Sequence, residues 1–233
     1  MMSQLCLCLI PAAILATVVS APSLHAQTLS DDEALQLGVD AYVYGYPLVT
    51  MEITRRVMTN VAEPQGTHAP MGRFMLMRKY PDATFKDVTA PNADTLYSTA
   101  WLDLSAEPYV LSLPDEEDRY FLMPMLSGWT DVFSVPGKRT TGTKAQTYAI
   151  VGPGFSGSLP EGVVEIKAPT NMVWILGRTY CTGTPDDYAA CHAVMDKYDL
   201  RPLRRTASPT RRRRAKSIPR STRRRRCASR STG

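Results

Sequence analysis

Metal-binding and redox residues are scarce in this sequence. Its 233 residues include 3 His and 5 Cys, and no His-x-His, His-Glu-x-x-His or Cys-x-x-Cys occurs. A structural zinc site or a dithiol redox motif therefore has no support, and no metal is expected. A Gly-x-Ser-x-Gly pattern and a phosphate loop are also missing, so no nucleophile elbow or phosphate loop is expected. Residue pattern alone identifies no cofactor. No segment beyond the N-terminus approaches the ~18 consecutive apolar residues of a membrane span. Acidic residues are missing from 201–233, which hold 14 of the 27 Lys and Arg; residues 1–200 keep 13 basic against 22 acidic side chains, a net of −9. The overall charge of +5 thus belongs to a tail attached to an acidic body.

The apolar run over residues 5–19 is too short to span a membrane and reads as the core of an export signal. Leu24-His25-Ala26 before Gln27 is a plausible cleavage site, so residues 1–26 are expected to be a signal peptide and the mature protein periplasmic or secreted. The signal lacks Lys or Arg at its start, and an uncleaved tether is the competing reading. Cys6 and Cys8 lie within the apolar run, not after a small-residue lipobox, so no lipid anchor is expected. No membrane association is expected after cleavage.

The body, residues 27–200, begins with a helix. Ser30-Asp31-Asp32-Glu33 has capping-box spacing. Leu35, Val39, Tyr42, Tyr46 and Val49 then recur at helical intervals, with a second stripe at Leu37, Ala41, Tyr44 and Leu48. So broad an apolar surface predicts a well-buried helix, kinked or broken at Gly45-Tyr46-Pro47 and continuing over residues 48–60. Residues 61–89 have little periodicity and read as a long loop; Met71, Phe74, Met75 and Met77 read as gap-filling packing.

Strand signals follow over residues 95–104, 109–113, 120–126, 131–135, 146–151, 163–167 and 172–180, with turn residues between them. The Gly/Ser-rich stretch after residue 151 reads as a hairpin loop. Seven short strands at this spacing predict a mainly β fold, an immunoglobulin-like β-sandwich with N-terminal helices. One C-terminal helix closes the set, with Thr184 as N-cap and Pro185 in its first turn. Tyr188, Cys191, Met195 and Tyr198 form its buried face.

The polar candidates gather at two turns. Asn92, Asp94 and Tyr97 form one; Trp129, Asp131 and Arg139 belong to the other. Asp94 and Asp131 would make a carboxylate pair for acid–base work or hard-cation binding if the strands bring them together, with Tyr97 beside them. Otherwise they cap turns. Arg178, on an otherwise apolar strand, must meet an acid, hold a carboxylate ligand or face solvent. Asn92, Trp129, Arg139 and Arg178 are the candidate ligand contacts. Cys181 and Cys191 are close enough in sequence to form a disulfide in an oxidising compartment, worth about 2–3 kcal/mol; two buried free thiols are the alternative. A cysteine nucleophile would need a histidine, and His192 lies about a third of a turn from Cys191 on the helix.

Tyr44-Gly45-Tyr46-Pro47-Leu48, Pro91-Asn92-Ala93-Asp94-Thr95-Leu96-Tyr97-Ser98, Met123-Pro124-Met125, Gly128-Trp129-Thr130-Asp131-Val132 and residues 169–179 together resemble the bacterial domain-of-unknown-function family number 1254. The resemblance covers about residues 30–200. It implies an exported β-sandwich with helical additions, followed in full-length relatives by a Pro-rich linker and a second domain, number 1214, with a jelly-roll-like sheet. It implies no mechanism. Two functions are carried forward: processing of a small-molecule or glycan ligand at an inter-domain site, or a non-catalytic binding or assembly module of the cell envelope. The expected partners are an unidentified small molecule, the second domain in full-length relatives, and another copy in a homo-oligomer.

Arg211 to Arg214 and Arg223 to Arg226 would suit nucleic acid by charge, but the tail has no aromatic residue to stack on bases and an exported chain rarely meets DNA. No nucleic acid is expected. A disordered tail produced by a frameshift near Leu203 fits better: with ordinary codons, residues 211–219 read one register over become Pro-Pro-Pro-Pro-Gly-Lys-Val-Asp-Pro, a normal linker. Sequencing the coding DNA of close relatives should show the shifted frame continuing into a domain; an in-frame Arg-rich tail in independent relatives refutes this.

Overall fold

The computed structural model describes residues 29–86 and 88–206. The expected signal peptide and most of the arginine tail lie outside them. By internal contacts the chain divides between Tyr44 and Gly45. Helix α1, Asp31–Thr59, starts with the capping box in place: Glu33 N donates to Ser30 Oγ at 3.3 Å, and Ser30 N donates to Glu33 Oε2 at 2.9 Å.

The structure corrects two expectations for α1. Of the kink or break expected at Gly45-Tyr46-Pro47, the break does not occur: one helix runs through Pro47. Its first half is not buried: Leu35 is 68% exposed and Tyr44 73%. Periodicity shows that a face is apolar but not what covers it. In the second half Met51 is buried, and Glu52 bridges Arg55 and Arg56 at 2.6 Å each.

The sheets belong to the second unit. One contains β1 (Met75–Leu76), β2 (Thr95–Asp103), β9 (Met172–Tyr180), β5 (Met125–Ser127) and β6 (Val132–Ser134) in that order, with β4 (Phe121–Leu122) also paired to β9. The other runs β10 (Asp199–Pro202), β3 (Tyr109–Leu113), β7 (Gln146–Val151) and β8 (Val164–Lys167). Three expected strands, β3, β7 and β9, have the bounds read from sequence. The expected strand over residues 120–126 is split between β4 and β5, with Pro124 between them. β7 and β8 pair in parallel, so residues 152–163 form a crossover and not the expected hairpin. Arg201 and Pro202 pair with Val110 and Tyr109, so the sheet extends two residues past the expected edge of the body.

β2 and β9 pair antiparallel over nine residues, from Thr95↔Tyr180 to Asp103↔Met172. Alternation sends Leu96, Ala100, Leu102, Val173 and Ile175 to the core. The core cluster also takes Leu111, Leu113 and Ile150 from the other sheet. Gly177 must lack a side chain, because a methyl there would overlap the Met123 sulfur and the Ser98 carbonyl. Helix α2, Pro185–Met195, closes the core as expected, with Cys191 and Met195 fully buried and Thr184 accepting from Asp187 N.

Glu116 is fully buried, and neither carboxylate oxygen makes a hydrogen bond of ordinary geometry. The neighbouring Tyr198 hydroxyl is engaged by Thr179 Oγ1 at 2.9 Å. Burial pushes the Glu116 carboxyl from 4.5 up to about 7, against smaller opposing effects of Tyr198 and Arg119. A folded value above the unfolded one means that the stability is fully present below pH ~4.5 and is lost as pH rises to about 7. The loss is on the order of 3 kcal/mol. Urea unfolding of Glu116→Gln should therefore give midpoints that stay level from pH 5 to 7.5 while those of the unaltered chain fall; parallel slopes would remove Glu116 as the cause.

Candidate functional site

The face of β2 and β9 opposite the core carries the site. Cross-strand register places Thr95/Tyr180, Tyr97/Arg178, Thr99/Leu176, Trp101/Trp174 and Asp103/Met172 side by side on it. β1 extends the Thr99/Leu176 row with Met75, and Met77 N donates to Tyr97 O at 2.8 Å. Trp101 and Trp174 stack with ring centroids 4.8 Å apart and planes within 6°. Trp174 Nε1 donates to Thr99 Oγ1 at 2.6 Å, and that hydroxyl donates to Ile175 O at 3.0 Å. The floor is thereby held in one arrangement.

Above this floor is a cavity of about 590 Å³, in the range of small-molecule sites. Its walls come from the second half of α1 (Ile53, Thr54, Val57, Met58), from β1 and the residues after it (Met75, Met77, Phe85), and from the turn at Ala90, Pro91 and Asn92. His68 also lines it, with Nδ1 3.2 Å from Thr67 Oγ1. A larger space of about 730 Å³ follows residues 74–85 and shares several walls with this cavity. It lacks the sheet floor and Arg178.

Of the candidate residues, the structure brings Asn92, Tyr97 and Arg178 together. Arg178 Cζ lies 5.1 Å from the centre of the Tyr97 ring. Asn92 Oδ1 accepts from the backbone N–H groups of Asp94 (2.6 Å) and Thr95 (3.0 Å). That is the turn-capping role, and it sets the start of β2. Asp94 is exposed beside the turn and does not line the cavity.

Asp131, Trp129 and Arg139 lie elsewhere. Asp131 O accepts from Ser127 N at 2.8 Å, and Ser127 is opposite Val173. Asp94 is next to the pair formed by Thr95 and Tyr180 at the other end of β9. The two aspartates are therefore roughly 25 Å apart along the strand and form no pair. Trp129 and Thr130 are in the turn before β6, where Thr130 has φ 72°, a strained value for a β-branched residue. Arg139 is exposed and rests over the Tyr120 ring at 5.2 Å.

Cys181 and Cys191 are both buried free thiols, the second of the two readings left open by the sequence. Burial, reinforced by the neighbouring Cys181, pushes the Cys191 thiol up to about 12, which keeps it neutral and a poor nucleophile. His192 does not turn toward it: its Nε2 lies 2.7 Å from Arg78 O. Among the described residues, no cluster of His, Cys, Asp and Glu could hold a metal.

Sequence reasoning missed the contributions of His68, Trp174, Leu176 and the second half of α1. The alternation in β9 contained a signal, since Trp174, Leu176 and Arg178 share one face.

These features define a β domain with two sheets and an apolar cavity behind one of them. The family model for a protein of unknown function, DUF1254, matches residues 71–202, more than half of the sequence, and the chain belongs to that family. The crystal structure of the VPA0106 protein from Vibrio parahaemolyticus is similar at 25% identity with a TM-score of 0.58. The match covers 72% of this chain and 38% of that one, so the chain spans about two fifths of the Vibrio protein's length. Comparison with curated proteins gives no match.

If Asp94 and Asp131 act separately, the stability changes of Asp94→Ala and Asp131→Ala should add to within about 0.5 kcal/mol in the double variant, measured by urea unfolding. A coupling above about 1 kcal/mol would mean that the two carboxylates work together.

Proposed function

We propose that this chain is the ligand-binding domain of an exported envelope protein, and that the cavity over β2 and β9 holds a small molecule. The observation that carries the reading is an apolar cavity of about 590 Å³ into which a few polar groups converge, Arg178 and Asn92 among them. Binding is favoured over catalysis because Asp94 and Asp131 stand at opposite ends of β9. No carboxylate among the described residues lines the cavity, and the imidazole that does, His68, is set against the Thr67 hydroxyl. In longer relatives the following domain would border this site. Export is supported by the apolar run and small-residue site before Gln27. The description of the body as an immunoglobulin-like sandwich belongs to the same proposal, and the single core cluster shared by both sheets supports it.

The neutral fluorophore N-phenyl-1-naphthylamine tests the reading. Titrated into the full chain, it should brighten at one saturable site. Leu176→Trp fills the cavity from its floor and Val57→Trp from its helical wall; either should weaken binding at least tenfold. Undiminished brightening in both variants, with circular dichroism unchanged, places the dye elsewhere and overturns the proposal.

A further inference from the structure

We infer that the cavity's ligand is a monocarboxylate with an apolar body, its carboxylate held by the Arg178 guanidinium. This rests on the reading of the cavity as a small-molecule site and adds charge and chemical class to it.

Arg178 is half-buried, and its Nε is buried with no hydrogen-bond partner. Among the described residues no acid pairs with it, and its one polar contact is the face of Tyr97 at 5.1 Å. The comparison is Arg119, also partly buried, which meets Asp187 at 2.8 Å. An arginine cannot discharge itself by losing a proton, and a buried charge is costly unless paired and hydrogen-bonded. Among the described residues, Arg178 is a cation on an apolar wall with no counter-charge beside it.

The other polar groups agree in sign. Asn92 Oδ1 is already taken by two backbone N–H groups, which leaves the amide nitrogen as the group available to a ligand. The Thr99 hydroxyl is used within the sheet. No Asp or Glu appears among the described lining residues. The Arg178 guanidinium and the Asn92 amide nitrogen are donors, complementary to an acceptor, while the Thr54 hydroxyl and the His68 ring can serve either way.

The number of charges sets the class. One guanidinium offers one planar fork, which matches one carboxylate through two parallel N–H···O bonds. A phosphate monoester would need further cations or a cradle of backbone N–H groups at a helix N-terminus, and the lining residues include no lysine. The rest of the ligand meets Val57, Met58, Met75, Met77, Phe85 and Leu176, which select an alkyl or aryl body. Methionine side chains adapt to irregular apolar shapes, which suits a flexible chain.

Calorimetric titration of the full chain with octanoate and decanoate, against 1-octanol and 1-decanol, tests this. The acids should bind at least tenfold more tightly than the alcohols, and each added methylene should tighten binding about fourfold. Arg178→Met should reduce the acids to the affinity of the alcohols and leave the alcohols within twofold. If acid and alcohol bind equally and Arg178→Met changes neither, the charge assignment is wrong while the cavity reading stands. If neither binds and the neutral naphthylamine also fails, both are wrong. Tighter binding of octyl phosphate than of octanoate would overturn the monocarboxylate in favour of a dianion. Should Arg178→Met fail to fold, the acid–alcohol comparison in the unaltered chain decides alone.

Discussion

The nine-residue pairing of β2 with β9 is the constraint on which both the core and the cavity depend. It joins segments 69 to 85 residues apart, from Asp103 with Met172 to Thr95 with Tyr180. Each strand contributes one face to the core and the other to the cavity floor. A slip of one residue would exchange those faces, bringing Arg178 into the core and Ile175 out to the floor. The register is therefore held by a large energetic difference: burying an unpaired guanidinium and exposing Ile175 are both unfavourable. Gly177 holds the same register sterically, because the Met123 sulfur occupies the space of a side chain there.

Two ionisable groups resist the ordinary rule that charge stays in water, and they do so in opposite ways. Glu116 lies within the body without a hydrogen bond of ordinary geometry to its oxygens, and burial favours its neutral form. Neutralisation is the usual release for a buried carboxyl. Arg178 lacks that release because a guanidinium keeps its proton. The first group makes stability depend on pH. The second leaves an unsatisfied charge facing a cavity, which makes it informative about a ligand. The stacked Trp101 and Trp174 and the Thr99 hydroxyl fix the surface beside it, so the guanidinium is set in a preorganised wall.

Local chemistry was legible wherever the decision was local. The Ser30 capping box, the Thr184 cap with Pro185, and the bounds of β3, β7 and β9 follow from residues a few positions apart. The errors occurred where distant segments decided. The broad apolar stripe of α1 suggested burial, yet Leu35 and Tyr44 are exposed. The Gly/Ser-rich stretch after β7 suggested a hairpin, but its ends lead into parallel strands. Asp94 and Asp131 looked alike as acids beside strands, and the sheet separates them. Of the candidate site only Asn92, Tyr97 and Arg178 converge. The second half of α1, which walls the cavity, resembled ordinary packing because a helix face against a cavity and one against a core have the same periodicity.

From the order of residues alone came a mainly β body with a helix at each end, the family resemblance, and an arginine on an apolar strand that had to find a partner or face solvent. The resemblance rests on matched motifs; the other two depend on alternation, capping and composition, whose physical range is a few residues. Tertiary structure decided which acids meet, which thiols stay free, and that the arginine looks into a cavity instead of toward an aspartate. Such choices depend on pairings across most of the chain. Their free energies come from contacts that no short window of sequence contains.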